Sequence, residues 1–432
     1  MKTLTALGIF CSLATAKISY DGFKIFRIQS PGDVEKFEQS LSSIKSVLLS
    51  ADPHNEAFDI AVPPDQLQAA RQLGLELTTL VDDLGAVLKT EGPFLTYSGQ
   101  LLYTIFLPVA TEKIEGVVAD LPPLSYFDSY HPYDEHIQFL IDLQAAFPNN
   151  SDTFSLGPSV EGRELPGIHL WGTGGKGLKP AIVWHGTAHA REWISAPTVE
   201  YITYKLIEEY QAGDSEIVNV LDKYDFYILP IVNPDGFVYT HESERLWRKN
   251  RQTRNNQTCI GTDVNRNWPS HWNVSGGSSP DPCSNTFRGE APGDTPEIQA
   301  LVAHILDLAN GPGIKAYIDW HSYGKKILLP YGYNCTAYPD NYERQLSVGN
   351  GVASAIASVN GLEFSVGPTC TNLYQTAGSS TDWAFDVAGA EFSWLVELRP
   401  TAAEGGFVIP PENILPSGAE HWAGVKYLFS QL

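Results

Sequence analysis

Two histidines and two glutamates, residue types that bind divalent metal ions and take part in their chemistry, lie within or just after apolar runs of this chain. His189 and Glu192 stand three residues apart in the segment HARE, just after an apolar run. His321 directly follows a second apolar run, KAYIDW, and Glu397 lies inside a third, FSWLVEL. A histidine and a glutamate at this spacing can place an imidazole nitrogen and a carboxylate oxygen on one ion. A single pair of this kind is usually a coincidence on the surface, so the interpretation depends on the whole set.

Two imidazole nitrogens and one carboxylate predict a catalytic zinc site. Such a set leaves one position of the ion open for water, whereas structural zinc is closed by four protein ligands. The cysteines have no CxxC spacing, which disfavours a four-cysteine site. HExxH and GxSxG are absent, and GTGGKG (172–177) lacks the spacing and the Ser or Thr of a phosphate loop. Glu397 supports a functional interpretation independently, because a carboxylate in an apolar strand is costly without a partner.

The elements around these residues predict an α/β fold, a mixed β-sheet flanked by helices. His189 and His321 follow strand ends and Glu397 lies near one, which is where open α/β sheets place their sites. Apolar runs predict strands at 180–186, 226–232, 315–320 and 392–398, and helical periodicity predicts helices at 133–147, 192–210 and 295–310. Between Arg248 and Asp294 the chain is rich in Asn, Ser, Gly and Pro, which predicts a long functional loop that needs a staple.

The N-terminal part of the chain has a different organisation. Residues 1–16 combine Lys2, an apolar stretch and Ala-Thr-Ala, which predicts a signal peptide. The next segment alternates predicted strands and helices in the order β-α-β-α-β, which is typical of a small α/β open sandwich; the elements are 23–28, 33–44, 57–62, 63–74 and 75–81. We therefore expect three parts, namely residues 1–16, 17–112 and 113–432.

Composition and cysteines favour a secreted, extracellular protein. The formal net charge of −22 argues against nucleic acid as a partner, and no later apolar stretch is long enough to span a membrane. Removal of a signal peptide takes Cys11 away and leaves four cysteines, for which three pairings are possible: Cys259, Cys283, Cys335 and Cys370. Four N-x-S/T sequons are candidate glycosylation sites: Asn149, Asn256, Asn273 and Asn334.

Beyond these features, the region from about Ser125 onward resembles the zinc carboxypeptidase A/B family over nearly its whole length. The matching segments occur in family order: EGRELPG (161–167), HAREW (189–193), RLWRKNR (245–251), DVNRNW (263–268), HSYG (321–324), LPYGY (329–333), LYQTAGSSTDW (373–383) and VELRP (396–400). The preceding small domain resembles the pro-domain of that family more loosely, through its element order and position.

The resemblance implies a role for each matching residue. His189, Glu192 and His321 match ligands of one Zn²⁺, and Glu397 matches the general base. Arg248 matches the arginine that stabilises the oxyanion. Asn265, Arg266 and Tyr374 match residues that bind the terminal carboxylate of the substrate, and Arg191 and Arg245 match auxiliary arginines on the approach to the site. Asp263 matches a carboxylate that orients a ligating histidine. The resemblance also implies the disulfides Cys259–Cys283 and Cys335–Cys370.

The resemblance also implies a latent proenzyme that removes C-terminal residues from peptides. We expect a monomer, activated by a protease that cuts between about Glu112 and Ser125, with Lys113 as a candidate site. Thr381 matches the base of the specificity pocket, and its uncharged side chain predicts a preference for apolar or aromatic residues. Other matching pocket positions are Leu328, Gly332, Thr369, Thr376 and Leu395. The adjacent Asp382 would reverse this preference if its carboxylate reached the pocket.

Two other functions are compatible with parts of the pattern. An inactive secreted homologue would bind peptides or zinc without turnover, but an acidic residue at position 397 favours catalysis. A zinc amidase that trims cell-wall peptides would use a similar metal site. The matches at Asn265, Arg266 and Tyr374 favour a peptide carboxylate instead.

Overall fold

The protein is described by a computed structural model over residues 17–29, 37, 41, 43–52, 57–99, 119–255 and 257–432. The predicted signal peptide, Lys113 and the sequon at Asn256 lie outside these residues. So does most of the helix predicted at 33–44. Among the described residues, no helix combines the length and the apolar character needed to cross a bilayer.

The N-terminal segment forms a four-stranded antiparallel sheet of order β2-β3-β1-β4. Its elements are β1 (Lys24–Gln29), β2 (Val47–Asp52), β3 (Ala57–Val62), α1 (Leu67–Gln72), β4 (Leu77–Val81) and α2 (Leu84–Leu88). The predicted β-α-β-α-β order omitted strand β2, which lies at the sheet edge next to β3. Apolar side chains of β1 and β3, including Phe26 and Phe58, form a core of their own.

The rest of the described chain is built on an eight-stranded mixed sheet of order β11-β10-β12-β9-β7-β8-β6-β5. The strands are β5 (Ser151–Pro158), β6 (Glu164–Leu170), β7 (Ala181–Gly186), β8 (Asp225–Leu229), β9 (Ile314–Ser322), β10 (Lys326–Leu329), β11 (Ser365–Pro368) and β12 (Phe392–Leu398). The central strands β8, β7, β9 and β12 are parallel. Their almost continuous burial explains why each appears in the sequence as an unbroken apolar run.

Helices flank this sheet, as the sequence predicted. They are α3 (Tyr133–Ala146), α4 (Ser195–Gln211), α5 (Ser215–Lys223), α6 (Pro234–Glu242), α7 (Pro296–Asn310), α8 (Tyr342–Asn360), α9 (Thr369–Asn372), α10 (Ser380–Asp386) and α11 (Ile414–Gln431). The side chain of Thr295 accepts a hydrogen bond from the Ile298 amide and so caps the N-terminus of α7, a helix that was predicted. Two hydrophobic clusters include residues from the sheet and these helices.

The long segment between Arg248 and Asp294 has no α-helix or multi-residue strand in its described part, in agreement with the prediction. The disulfide Cys259–Cys283 closes it, and Cys335–Cys370 ties the loop after β10 to the start of α9. This is the pairing that the resemblance implies. The sequon residues Asn149 and Asn273 are exposed and Asn334 is half-buried.

Candidate active site

Three side chains converge at the C-terminal ends of β7 and β9. His189 and Glu192 lie in the turn between β7 and α4, and His321 lies near the end of β9. Nδ1 of His321 is 3.0 Å from Nδ1 of His189 and 2.9 Å from a carboxylate oxygen of Glu192. All three side chains are buried, and their donor atoms are close enough to share one metal ion. Burial by itself would raise the pKa of Glu192. The nearby His189 and His321 lower it by more than burial raises it, so the pKa of Glu192 lies below its usual value.

Each histidine has a second carboxylate close to its other ring nitrogen. Nε2 of His189 is 3.1 Å from Asp263, and Nε2 of His321 is 3.0 Å from Asp319. Metal-bound histidines usually have such an outer partner, which fixes the tautomer and leaves the other nitrogen free for the ion. The donor set and its surroundings therefore fit zinc.

Glu397 lies directly opposite His321 in the register between β12 and β9. Its Oε2 atom is buried and has no hydrogen-bond partner among the described residues. Burial, and after it the charge of Glu192, raises the pKa of Glu397 to about 8. A bound cation would lower that value again. The side chain borders a cavity of about 60 Å³ that Glu192 and Arg248 also line.

Asp263 also binds Arg248, which lines the same cavity as Glu192. Nε and Nη2 of Arg248 donate hydrogen bonds of 3.1 and 2.8 Å to one oxygen of Asp263. Burial alone would lower the pKa of Arg248, but Asp263 raises it above its usual value. The guanidinium is therefore a fixed positive charge at the wall of the cavity.

A second group of polar side chains lies beyond these residues. Arg266 donates to the Asn265 carbonyl at 2.7 Å and to the Tyr374 hydroxyl at 3.4 Å. Arg266 is buried, yet its Nε atom has no hydrogen-bond partner within the described part of the chain. Asn265 accepts from the Ser380 amide, which holds it beside His321. A guanidinium with an unused donor suits a carboxylate ligand.

The four-stranded N-terminal sheet and the turn after α2, together called the small domain, contact residues around this cavity. The carbonyls of Leu48 and Leu49 on strand β2 each accept a 3.1 Å hydrogen bond from Arg191. Glu91, which follows α2, forms a buried ion pair with Arg245, with Nε–O distances of 3.0 Å. Tyr374 packs against the apolar core of the small domain. Three residues that the sequence assigned to substrate binding thus contact the small domain here.

The predicted pocket residues are all buried, on β10 and β12, at the starts of α9 and α10, and in the loops that follow β10 and α9: Leu328, Gly332, Thr369, Thr376, Thr381 and Leu395. Asp382 is buried too, and its carboxylate accepts hydrogen bonds from the backbone amides of Gly332 and Tyr333 at 2.9–3.1 Å. Burial raises the pKa of Asp382 to about 6. These bonds keep the carboxylate engaged with the backbone of the 331–333 turn.

Comparison with known proteins decides the family. The family model described as zinc carboxypeptidase matches residues 136–424. The chain belongs to the zinc carboxypeptidase family. Among curated relatives, this zinc carboxypeptidase is 41% identical to a metallocarboxypeptidase A-like protein of Trichophyton verrucosum, with 100% of this chain and 98% of the relative covered. It is 32% identical to mouse carboxypeptidase A4, with 95% and 94% covered.

Solved structures agree with this assignment. The zinc carboxypeptidase resembles thrombin-activatable fibrinolysis inhibitor with a TM-score of 0.78 and 25% identity, covering 94% of this chain and 98% of that one. It resembles carboxypeptidase A from Helicoverpa armigera with a TM-score of 0.76 and 28% identity, covering 95% and 97%. Zinc-dependent carboxypeptidase activity on peptides follows from family membership together with the buried His-Glu-His set.

Two residues that contact the candidate site of this zinc carboxypeptidase were not predicted from the sequence to do so. Asp319 contacts His321, and a signal for it was present, because residues two apart on a strand share a face. Glu91 pairs with Arg245 across 154 positions of sequence, and no local pattern could have indicated that.

Proposed function

We propose that this zinc carboxypeptidase is secreted, is made as a latent proenzyme, and releases single C-terminal residues with apolar or aromatic side chains. The observation that carries the proposal is the position of strand β2 across the cleft. Its carbonyls at Leu48 and Leu49 accept hydrogen bonds from Arg191 that the backbone of a bound peptide would otherwise receive. A peptide cannot lie along this wall while the strand occupies it.

The same contacts support a division of the chain into a pro-domain and a catalytic domain. We assign residues 17–112 to the pro-domain and residues 113–432 to the catalytic domain. The buried pair of Glu91 and Arg245 contributes to docking, since an unpaired buried charge is strongly unfavourable. Release therefore requires an activating protease, for which the stretch from Glu112 to Ser125 is the candidate target.

In the mature enzyme, we assign the zinc ligands to His189, Glu192 and His321. Zinc held there would supply a coordinated water with a pKa lowered toward ~7 and Lewis-acid polarisation of the scissile carbonyl. Oε2 of Glu397 then accepts the proton of the attacking water and passes it to the leaving amine. Among the described residues this oxygen has no hydrogen-bond partner, which supports the role. Arg248 donates hydrogen bonds to the oxyanion that develops on the carbonyl oxygen.

Recognition of a free C-terminus falls to Arg266, Asn265 and Tyr374. The unused Nε of Arg266 supports binding of a carboxylate there, because a guanidinium can make two parallel bonds to it. An internal peptide bond carries no such group, so the arrangement favours exopeptidase action. Thr381 at the proposed pocket base adds no charge, and the backbone bonds of Asp382 support an apolar pocket.

Secretion is supported by three features of the chain. Residues 1–16 have the composition of a signal peptide, and structural disulfides such as the two found here form and persist mainly in oxidising compartments. The exposed sequon residues Asn149 and Asn273 are accessible to glycosylation. We further expect a monomer.

Hydrolysis of blocked dipeptides by the purified full-length chain, before and after limited proteolysis, tests the proposal. We expect little activity before cleavage, strong activity after it, and complete loss on chelation with recovery on addition of zinc. Equal activity before and after cleavage would contradict latency. Full activity of chelated protein without bound metal would contradict the zinc mechanism.

A further inference from the structure

A carboxylate lies behind the third proposed ligand, His321, just as Asp263 lies behind His189. Asp319 precedes His321 by two residues on β9, so both side chains lie on one face of the strand. One oxygen of Asp319 is 3.0 Å from Nε2 of His321 and 3.1 Å from Nδ1 of His185. His185 is on the adjacent parallel strand β7, directly opposite Asp319 in register. Asp319 is completely buried.

The partners of this group determine where its protons lie. Nε2 of His185 contacts the Tyr317 hydroxyl, which can donate only if that nitrogen is unprotonated. With the hydroxyl as donor, the proton of His185 is on Nδ1, the nitrogen 3.1 Å from Asp319. The second oxygen of Asp319 accepts a 2.6 Å hydrogen bond from the Ser380 hydroxyl. No lysine or arginine forms an ion pair with Asp319 among the described residues, so imidazole N–H groups must compensate its charge.

A fixed proton on Nε2 of His321 has two consequences. It leaves Nδ1, the nitrogen that faces His189 and Glu192, with a free lone pair for a metal ion. It also prevents the Asn265 amide, 3.2 Å away, from donating to Nε2. That amide group is then available for a substrate carboxylate.

We propose that Asp319 is a positioning residue for His321, which it holds in the tautomer and orientation that zinc requires. His185 and Ser380 in turn hold Asp319. The proposal depends on His321 being a zinc ligand, as proposed above. The zinc site then has a carboxylate behind each histidine, one from the long loop and one from the sheet itself.

The affinity of the full-length chain for zinc tests this role directly. Metal is removed by dialysis against a chelator, and Zn²⁺ is returned in competition with a chromophoric chelator. Asp319→Asn should weaken zinc binding by about 10- to 100-fold, the usual effect of losing an outer partner of a ligand. Asp319→Glu should recover part of that loss, because it restores the charge.

Asp225 provides a matched control. It is also completely buried and lies 3.4 Å from a histidine, His169, but on β8 away from the cleft. Asp225→Asn should reduce thermal stability and leave zinc affinity unchanged. If Asp319→Asn binds zinc as tightly as wild type, or loses no more affinity than Asp225→Asn, the proposal is wrong.

Two further variants keep the result interpretable. Where Asp319→Asn does not fold, Ser380→Ala removes only one hydrogen bond to the carboxylate and should weaken zinc binding by about two- to tenfold. An unchanged affinity in that variant overturns the proposal. His321→Ala tests the assumption beneath it: if that variant retains zinc affinity, the ligand assignment fails, whereas loss there with none in Asp319→Asn rejects the positioning role alone.

Discussion

At the residue scale, Asp263 links the proposed metal site to the proposed oxyanion site. It contacts His189 through one oxygen and Arg248 through the other. Burial raises the pKa of Asp263, but Arg248 and then His189 lower it more, so it lies well below the usual value. The carboxylate therefore remains ionised and holds a ligand and a cation in one fixed relation.

Glu397→Gln should retain zinc and lose turnover. The amide cannot accept the proton of the attacking water, and loss of a general base costs about 10²–10⁴ in rate. The measurement is kcat of the cleaved enzyme with metal content determined in parallel. Glu297→Gln is the control, because Glu297 is also buried but bonds Asn250 and Val160 outside the cavity. Near-normal kcat in Glu397→Gln would remove this residue from the mechanism.

The kcat/KM for a substrate ending in Phe should be roughly 100-fold higher than for one ending in Arg. A cation that enters an uncharged pocket loses hydration without gaining a partner. Thr381→Asp should lower the ratio of these two values or reverse it. Asp382→Asn should destabilise the 331–333 turn and leave the ratio above one. A wild-type ratio below one would show that an acidic group reaches the pocket.

Most of the candidate site was predictable because its residues follow apolar strand runs in a recognisable order. His189, Glu192 and His321 are brought together as expected. Sequence could not reveal that Arg191, Arg245 and Tyr374 contact the small domain, because those contacts join residues far apart in the chain. It also left open the direction of the Asp382 carboxylate, which depends on the backbone amides of Gly332 and Tyr333.

At the scale of elements, edge strand β2 and the turn after α2 contact the cleft. Sequence did not predict β2, although the neighbouring strands β1, β3 and β4 were predicted. Strands β5, β6, β10 and β11 and helices α2, α5, α6, α8, α9, α10 and α11 were also not predicted. Several of them are short or lie at the sheet edge, where partial exposure weakens the hydrophobic pattern.

Glu91→Gln should make the full-length protein leak activity before any cleavage. Hydrogen bonds to a charged group contribute about 1.5–3 kcal/mol, and this loss would weaken docking of the small domain on Arg245. The assay is hydrolysis of a blocked dipeptide by uncleaved protein. Glu76→Gln, an exposed carboxylate of the same domain, should show no leak. Equal activity of the two uncleaved variants would show that this ion pair does not maintain latency.

At the scale of the whole molecule, residues 93–99 lie against helix α3, which flanks the eight-stranded sheet. The Leu95 amide donates to Ser129, and the Tyr97 amide donates to Glu135 at 2.9 Å. The Tyr97 hydroxyl donates to Asp142 in the same helix. Beyond the intervening segment, the Ala119 amide bonds the carbonyl of Ala145 at the end of α3.

Because of this anchor, a cut near Lys113 should leave residues 17–99 bound to the catalytic domain. We expect the two fragments to co-elute in size-exclusion chromatography, with activity rising more slowly than cleavage. Tyr97→Phe removes the hydrogen bond to Asp142 and should shorten that lag, whereas Tyr338→Phe, an exposed tyrosine elsewhere, should not. Fragments that separate at once, with no lag, would contradict the anchor.

Arg191 and Arg245 also set a limit on how this enzyme can be changed, by evolution or in the laboratory. Both guanidinium groups bind the small domain, and both are proposed to line the path of the substrate. A substitution at either position that is selected only for faster hydrolysis by the mature enzyme would also change the residual activity of the uncleaved precursor. Libraries at these two positions therefore need a double screen, for high activity after cleavage and for low activity before it.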